Sequence, residues 1–270
     1  MTDSPEAAPS TEFIVTKEYL RFVEFCDVCR DSRYIGLCYG VPGVGKTVSA
    51  WQYSHWSELE TLAGPPPYRY SGIPDRESGP WRTVLYTPGV VNTPRIIQRD
   101  IEAAWAAVVG LADRLHQPSQ QRPGPQSPDL VIVDEADRLK TAGLEQLRDL
   151  YDRRHVGLVL IGMPGLQKRL ARYAQLYSRV GFVHQFMPLG GSELQDIIRR
   201  QSLQLGLGLE LHDGTDAGVL SSIVRITGGN FRLVERLFAQ IERVAEINDV
   251  TTLTTDLVVA AQESLVIGAL

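Results

Sequence analysis

Long apolar runs are missing from this chain: no stretch approaches the ~20 residues that a membrane-crossing helix needs. An excess of basic charge is missing too. Lys and Arg number 27 against 32 Asp and Glu, a net charge of −5. That argues against a protein that coats nucleic acid through bulk charge, but leaves room for a local basic surface repeated around an oligomer. Cysteine is scarce, with only Cys26, Cys29 and Cys38. Cys26 and Cys29 have the C-x-x-C spacing of metal or redox sites, yet no second cysteine pair or histidine cluster completes a zinc site. Tyr19, Phe22, Val23 and Cys26 follow helical spacing, so Cys26 reads as a core residue. Residues 1–12 lack the basic segment and apolar core of a signal peptide. They are polar and acidic, with Pro5 and Pro9, and read as a disordered tail. The expected location is cytoplasmic.

What is present is an ordinary globular composition, 43% hydrophobic and 22% charged over 270 residues, enough for one α/β domain and a smaller one. Within it stands Gly40-Val41-Pro42-Gly43-Val44-Gly45-Lys46-Thr47, which fits the phosphate-loop pattern G-x-x-x-x-G-K-[ST] at every fixed position. The chemistry needs those residues in that order. Glycines let backbone N–H groups turn inward around a phosphate. Lys46 reaches the terminal phosphates of ATP, and Thr47 puts a hydroxyl where Mg²⁺ sits. The helix beginning there, with Val48 in its first turn, turns its positive end toward the anion. The flanks agree, with an apolar run over residues 34–39 and a helix start over 48–53.

A second motif follows downstream. Leu130, Val131, Ile132 and Val133 form a short β-branched run ending in Asp134-Glu135, as a buried parallel strand does. Its carboxyl end brings two carboxylates to the sheet edge where open α/β folds bind ligands. Asp134 is expected to hold Mg²⁺, and Glu135 to orient and deprotonate the attacking water.

Apolar and helical segments alternate along the chain. A helix is expected over residues 16–32 with Thr16 as N-cap, and the first strand and the phosphate loop follow. Residues 64–80, rich in Pro and Gly, read as a surface insertion. A strand over 82–86 leads to a helix over 94–115 that begins with Pro94. Residues 117–128 form a second loop. After the Asp134-Glu135 strand come a helix over 143–153, a strand over 156–161, a helix over 164–176 and a short strand over 182–186. From Ser192 onward the pattern is all helical. This order predicts an α/β fold, a parallel sheet sandwiched by helices, with a nucleotide-binding domain over 13–189 and a small helical domain over 190–270. Trp51, Trp56, Trp81 and Trp105 read as core or interface residues.

This layout, a sheet domain followed by a helical lid, resembles that of AAA+ P-loop ATPases. Thr227-Gly228-Gly229-Asn230-Phe231-Arg232 resembles the sensor 2 motif, which implies that Arg232 reaches back to the nucleotide, a contact suited to a guanidinium. Ser178-Arg179 lies where such proteins carry the arginine finger that acts on a neighbouring subunit's nucleotide, with Arg172 as the alternative. The residues 40–47, 131–139, 156–162, 176–179 and 227–233 together resemble the transposition ATPases of the MuB and TnsC family. That resemblance implies a homo-oligomer assembled with ATP as a ring or filament on double-stranded DNA, with transposase and target-selector proteins as partners. In related ATPases the loops after the second and third strands line the central channel. Here those offer Asn92, Thr93, Arg95 and Arg99, then Arg138 and Lys140, as DNA phosphate contacts. One departure stands out. The sensor 1 position commonly carries Asn or Thr, whereas here Gly162 is followed by Met163, which cannot hydrogen-bond water, so slow hydrolysis is expected. Asp134-Glu135-Ala136-Asp137 also spells the box of DEAD helicases, but the chain has no room for their second ATPase-like domain. The competing reading is a nucleotide-gated adaptor or signalling protein with little turnover and no DNA binding.

Overall fold

The computed structural model describes residues 13–56, 82–115, 127–208 and 215–265. The expected tail, the insertion over 64–80, most of the loop over 117–128 and Trp81 lie outside these.

Helix α1 spans Lys17–Ser32 and starts where the Thr16 side chain accepts a hydrogen bond from Tyr19 N, a local N-cap that satisfies one open donor of the first turn. It ends at Arg33 in the left-handed conformation. Strand β1 (Ile35–Tyr39) feeds helix α2 (Lys46–Ser54). Strand β2 (Thr83–Tyr86), helix α3 (Pro94–Leu115) and strand β3 (Leu130–Val133) follow, then a single 3-10 turn over Ala136–Arg138. Helix α4 (Thr141–Arg154), strand β4 (Gly157–Gly162), two short helices α5 (Leu166–Leu170) and α6 (Ala174–Tyr177), and strand β5 (Val180–Gln185) complete this part.

The strands form one parallel sheet in the order β2-β3-β4-β1-β5. β2, β3 and β4 are buried at every position, because parallel strands covered on both faces have no solvent side to make polar. β5, at the opposite edge from β2, alternates between half-buried and exposed, as a strand packed on one face only does. Helix α1 packs on β1, β4 and β5, and α3 on β2 and α4. The order places β1, with its phosphate loop, directly beside β4 and next but one to β3, so the carboxyl ends carrying Lys46, Asp134 and Gly162 converge.

One helix was expected over residues 164–176; there are two, bent at Tyr173 (φ −112°, ψ 78°). Leu166, Leu170 and Leu176 are all buried. On a continuous helix Leu176 would point about 120° away from Leu170, so the bend is what brings all three to the core.

The remaining helices are α7 (Gly191–Gln204), α8 (Thr215–Thr227), α9 (Phe231–Ile247) and α10 (Thr255–Glu263). They close around a separate apolar cluster that includes Ile198, Val219, Ile223, Leu237, Phe238 and Ile241. Helix α9 buries Val234, Leu237, Phe238, Ile241 and Ala245, a single stripe at helical spacing. Truncating Leu237, Phe238 or Ile241 to Ala costs about 2–5 kcal/mol. Among the described residues no helix is long and apolar enough to cross a membrane.

Candidate active site

The loop between β1 and α2 is built for an anion. Gly43 (φ 83°) and Gly45 (φ 106°) take backbone conformations that side chains disfavour. At Gly43 a Cβ would also lie 2.5 Å from Asn230 Oδ1. Helix α2 begins at Lys46, so the first-turn N–H groups lack intrahelical partners and point toward the loop. Lys46 Nζ donates to the carbonyls of Gly40 (2.7 Å) and Val41 (2.9 Å). Burial pushes its ammonium below the ordinary lysine range. Nearby Arg232 adds to that shift, and Asp134 and Asp137 oppose it.

Asp134 is 3% exposed at the end of β3. Thr47 Oγ1 donates to its Oδ2 at 2.7 Å and Glu135 N to its Oδ1 at 2.8 Å. A hydroxyl and a buried carboxylate brought together are the hard oxygen donors that Mg²⁺ prefers, so this pair fits that ion. Glu135 sits in the left-handed region (φ 49°, ψ 42°) and its carboxylate forms an ion pair with Arg138. Arg138 NH1 also donates to Pro88 O at 2.9 Å. Asn92 Nδ2 bridges Gly89 O (2.8 Å) and Arg138 O (3.2 Å). The loop after β2 is thereby tied to the turn that carries Glu135.

At the end of β4, Met163 lies beside the cleft and its backbone N donates to Asp137 Oδ2 at 2.6 Å. A Cβ on Gly162 would clash with that same oxygen. The polar group at this corner is therefore Asp137, delivered from the 3-10 turn rather than from β4. No local pattern in the sequence marks Asp137 for this place.

The helical part closes the cleft from above. Asn230 caps α9, its Oδ1 accepting from Leu233 N at 3.3 Å, while its Nδ2 donates to Pro42 O at 2.7 Å. Arg232 N donates to Gly43 O at 3.0 Å. Asn230 carries the cap signal in sequence, but nothing local shows its tie to the phosphate loop 188 residues away. The resulting cleft, about 350 Å³, is lined by Lys46, Thr47, Asp134, Glu135, Asp137 and Arg232 among others. A second, more apolar cavity of about 350 Å³ adjoins it. Gly45, Val48, Phe231 and Glu235 are shared, and Phe13, Ile14, Tyr19, Trp51 and Met187 supply further walls. Residues from the chain start, α1, α2 and α9 meet there, and no short motif announced them.

Arg179 and Arg172 do not line this cleft. Arg179 is held by Asp152 on α4, and Arg172 lies exposed at the bend between α5 and α6. Thr93 Oγ1 accepts from Ile96 N at 3.3 Å at the start of α3. Arg95 is exposed as the second residue of α3, Arg99 pairs with Asp100, and Lys140 is the exposed N-cap residue of α4. Thr93, Arg95, Arg138 and Lys140 thus lie at or just beyond the carboxyl edge of β2 and β3, flanking Val90 and Val91, which are 86% and 79% exposed. Of the tryptophans, Trp56 and Trp105 are buried, while Trp51 is partly exposed at the apolar cavity. Cys26, Cys29 and Cys38 are buried free thiols, and burial pushes Cys29 up to about 12, which leaves it inert as a nucleophile.

Comparison with known proteins agrees with this geometry. The family model described as AAA domain matches residues 29–170. A "Potential ATP-binding protein" of Staphylococcus aureus is 41% identical, covering 95% of this chain and 97% of its own. The "Mu-like prophage FluMu DNA transposition protein B" of Haemophilus influenzae is 25% identical over 87% of this chain and 73% of its own. Among solved structures, the Thermotoga maritima RuvB Holliday junction branch migration motor superposes with a TM-score of 0.57. That match has 20% identity and covers 95% of this chain and 71% of the other. The Aeropyrum pernix ORC1 protein in complex with DNA gives 0.55 at 17% identity, over 93% of this chain and 65% of that one. These two likenesses are of fold alone. A parallel sheet in this order, a phosphate loop facing Asp134 and Glu135, and a family match over more than half the residues lead to one conclusion: the chain belongs to the AAA domain family and has the fold of an AAA+ P-loop ATPase.

Proposed function

We propose that this protein is an ATP-dependent DNA-binding ATPase that assembles on double-stranded target DNA and recruits a transposase to it. Residues 13–189 form its nucleotide-binding domain and 190–270 its lid. The observation that carries the ATPase reading is the Thr47–Asp134 hydrogen bond beneath the lysine of a phosphate loop. The transposition role rests on similarity to the Haemophilus transposition protein along most of this chain.

The mechanism follows from the donors in place. The α2 N-terminus and Lys46 bind the β- and γ-phosphates, Lys46 exchanging the Gly40 and Val41 carbonyls for phosphate oxygens. The apolar cavity takes the base, and Phe231 and Glu235 border both it and the phosphate cleft. Thr47 and Asp134 would hold Mg²⁺, which would neutralise charge on the phosphates. Glu135 swings off Arg138 to accept the proton of the attacking water. Arg232 contacts phosphate from the same chain, and Arg179 stabilises the transition-state charge at a neighbouring subunit's site.

A gel shift with duplex DNA, with and without a non-hydrolysable ATP analogue, tests this reading. Retardation that needs the analogue supports it. Absence of any shift at low salt supports instead the nucleotide-gated adaptor that never touches DNA. That alternative draws on the Glu135–Arg138 pair and on Met163, both of which oppose turnover.

A further inference from the structure

Helix α4 contributes no residue to the cleft lining. Its residues Glu145, Arg148 and Asp152 stand at helical spacing on one face. They form a continuous charge chain: Arg148 pairs with Glu145 and, through NH1, with Asp152 Oδ2 at 2.8 Å. Asp152 then grips Arg179 with both oxygens, Oδ1 from Nε at 2.8 Å and Oδ2 from NH2 at 3.0 Å. This is the planar two-bond fit that only a guanidinium makes with a carboxylate. The backbone beneath is also fixed, since Arg179 O accepts from Ile35 N at 3.2 Å at the start of β1.

The grip fixes direction as well as position. Asp152 occupies the Nε–NH2 edge, so NH1 and the outer hydrogen of NH2 remain for another acceptor. NH1 donates to the Gln175 carbonyl, a neutral acceptor that a phosphate oxygen outcompetes. A long arginine side chain otherwise loses rotamer entropy when it enters a neighbour's site. Here that ordering is done beforehand by a residue that meets no nucleotide.

We infer that Asp152 is a positioning residue for Arg179, presenting its guanidinium to the nucleotide of the adjacent subunit. The inference rests on the reading of Arg179 as a finger acting between subunits. Asp152→Ala is expected to lower ATP turnover roughly 10- to 100-fold, the cost of misplacing a catalytic group by about 1 Å, with nucleotide affinity unchanged. Asp152→Asn, which keeps one acceptor and loses the charge, should fall between. Alanine is a good helix former, so α4 is expected to persist.

The deciding measurement is subunit mixing. Asp152→Ala protein mixed with Lys46→Ala protein should regain turnover, because the latter supplies an intact Asp152–Arg179 pair to the former's working phosphate loop. Mixed with Arg179→Ala, it should not. Normal turnover by Asp152→Ala while Arg179→Ala is inactive would overturn the positioning role and leave the finger standing. Full activity of Arg179→Ala would overturn both. Lost nucleotide binding by Asp152→Ala, or no recovery with Lys46→Ala, would show a structural role in its own subunit and so overturn the inference.

Discussion

Arg138 holds the carboxylate of Glu135 in an ion pair one 3-10 turn away. The residue expected to activate water is thus engaged by a residue expected to touch DNA. Both side chains are more than a third exposed, so the pair is a weak restraint, about 0.5–1 kcal/mol. Arg138→Ala should therefore raise ATP turnover without DNA about twofold to fivefold, the rate equivalent of that energy, and shrink any further stimulation by duplex DNA. Steady-state ATPase assays on both proteins, with and without DNA, check this; a fall in basal turnover would mean that Arg138 assists Glu135.

Lys46 and Glu135 should separate binding from chemistry. Lys46→Ala should abolish tight nucleotide binding, because Lys46 meets ground-state phosphates. Glu135→Gln should bind ATP and fail to turn it over, because only the water needs its base. Fluorescent-nucleotide titration beside phosphate release distinguishes them. Wild-type turnover by Glu135→Gln would remove Glu135 from the base role.

Nucleotide affinity should also carry a pH signature from Lys46. Burial lowers the pKa of its ammonium in the free protein, and a bound phosphate raises it again by charge pairing. Binding then takes up protons where free Lys46 is partly neutral, so affinity falls as pH rises through that range. Calorimetry in buffers of different ionisation enthalpy measures the uptake. Proton release on the alkaline side would contradict the sign.

Asn230 serves two ends of one contact. Asn230→Ala should cost about 1 kcal/mol of stability, the usual worth of an N-cap, and should weaken nucleotide binding through the lost bond to Pro42 O. Asn230→Asp still accepts from Leu233 N but cannot donate to that carbonyl. It should recover the melting temperature and leave affinity low. Recovery of both would show that the cap alone matters.

DNA affinity should come from many subunits making few contacts each. It should rise with ATP, show little sequence preference and fall steeply with salt through counterion release. Replacing Arg95 and Lys140 with Ala should weaken binding to all duplexes alike and flatten the salt slope, with ATP binding intact. Tight, salt-insensitive binding by a monomer would count against assembly on DNA.

The phosphate loop, the Asp134-Glu135 strand end and most helices were legible in the order of residues. Their causes are local: Gly43 and Gly45 permit a positive φ, Thr16 caps its own helix, and buried strands read as continuous apolar runs. The break at Tyr173 was not legible, because it answers to where the core lies rather than to helix propensity. Nor was the role of Asp137, which depends on β3 and β4 being neighbours. Only the tertiary structure decided the strand order and brought Thr47 within 2.7 Å of Asp134. It also docked Asn230 and Arg232 on the phosphate loop, and set Arg179 against Asp152. Such contacts join residues tens to hundreds of positions apart, and no periodicity or local motif encodes a partner at that range.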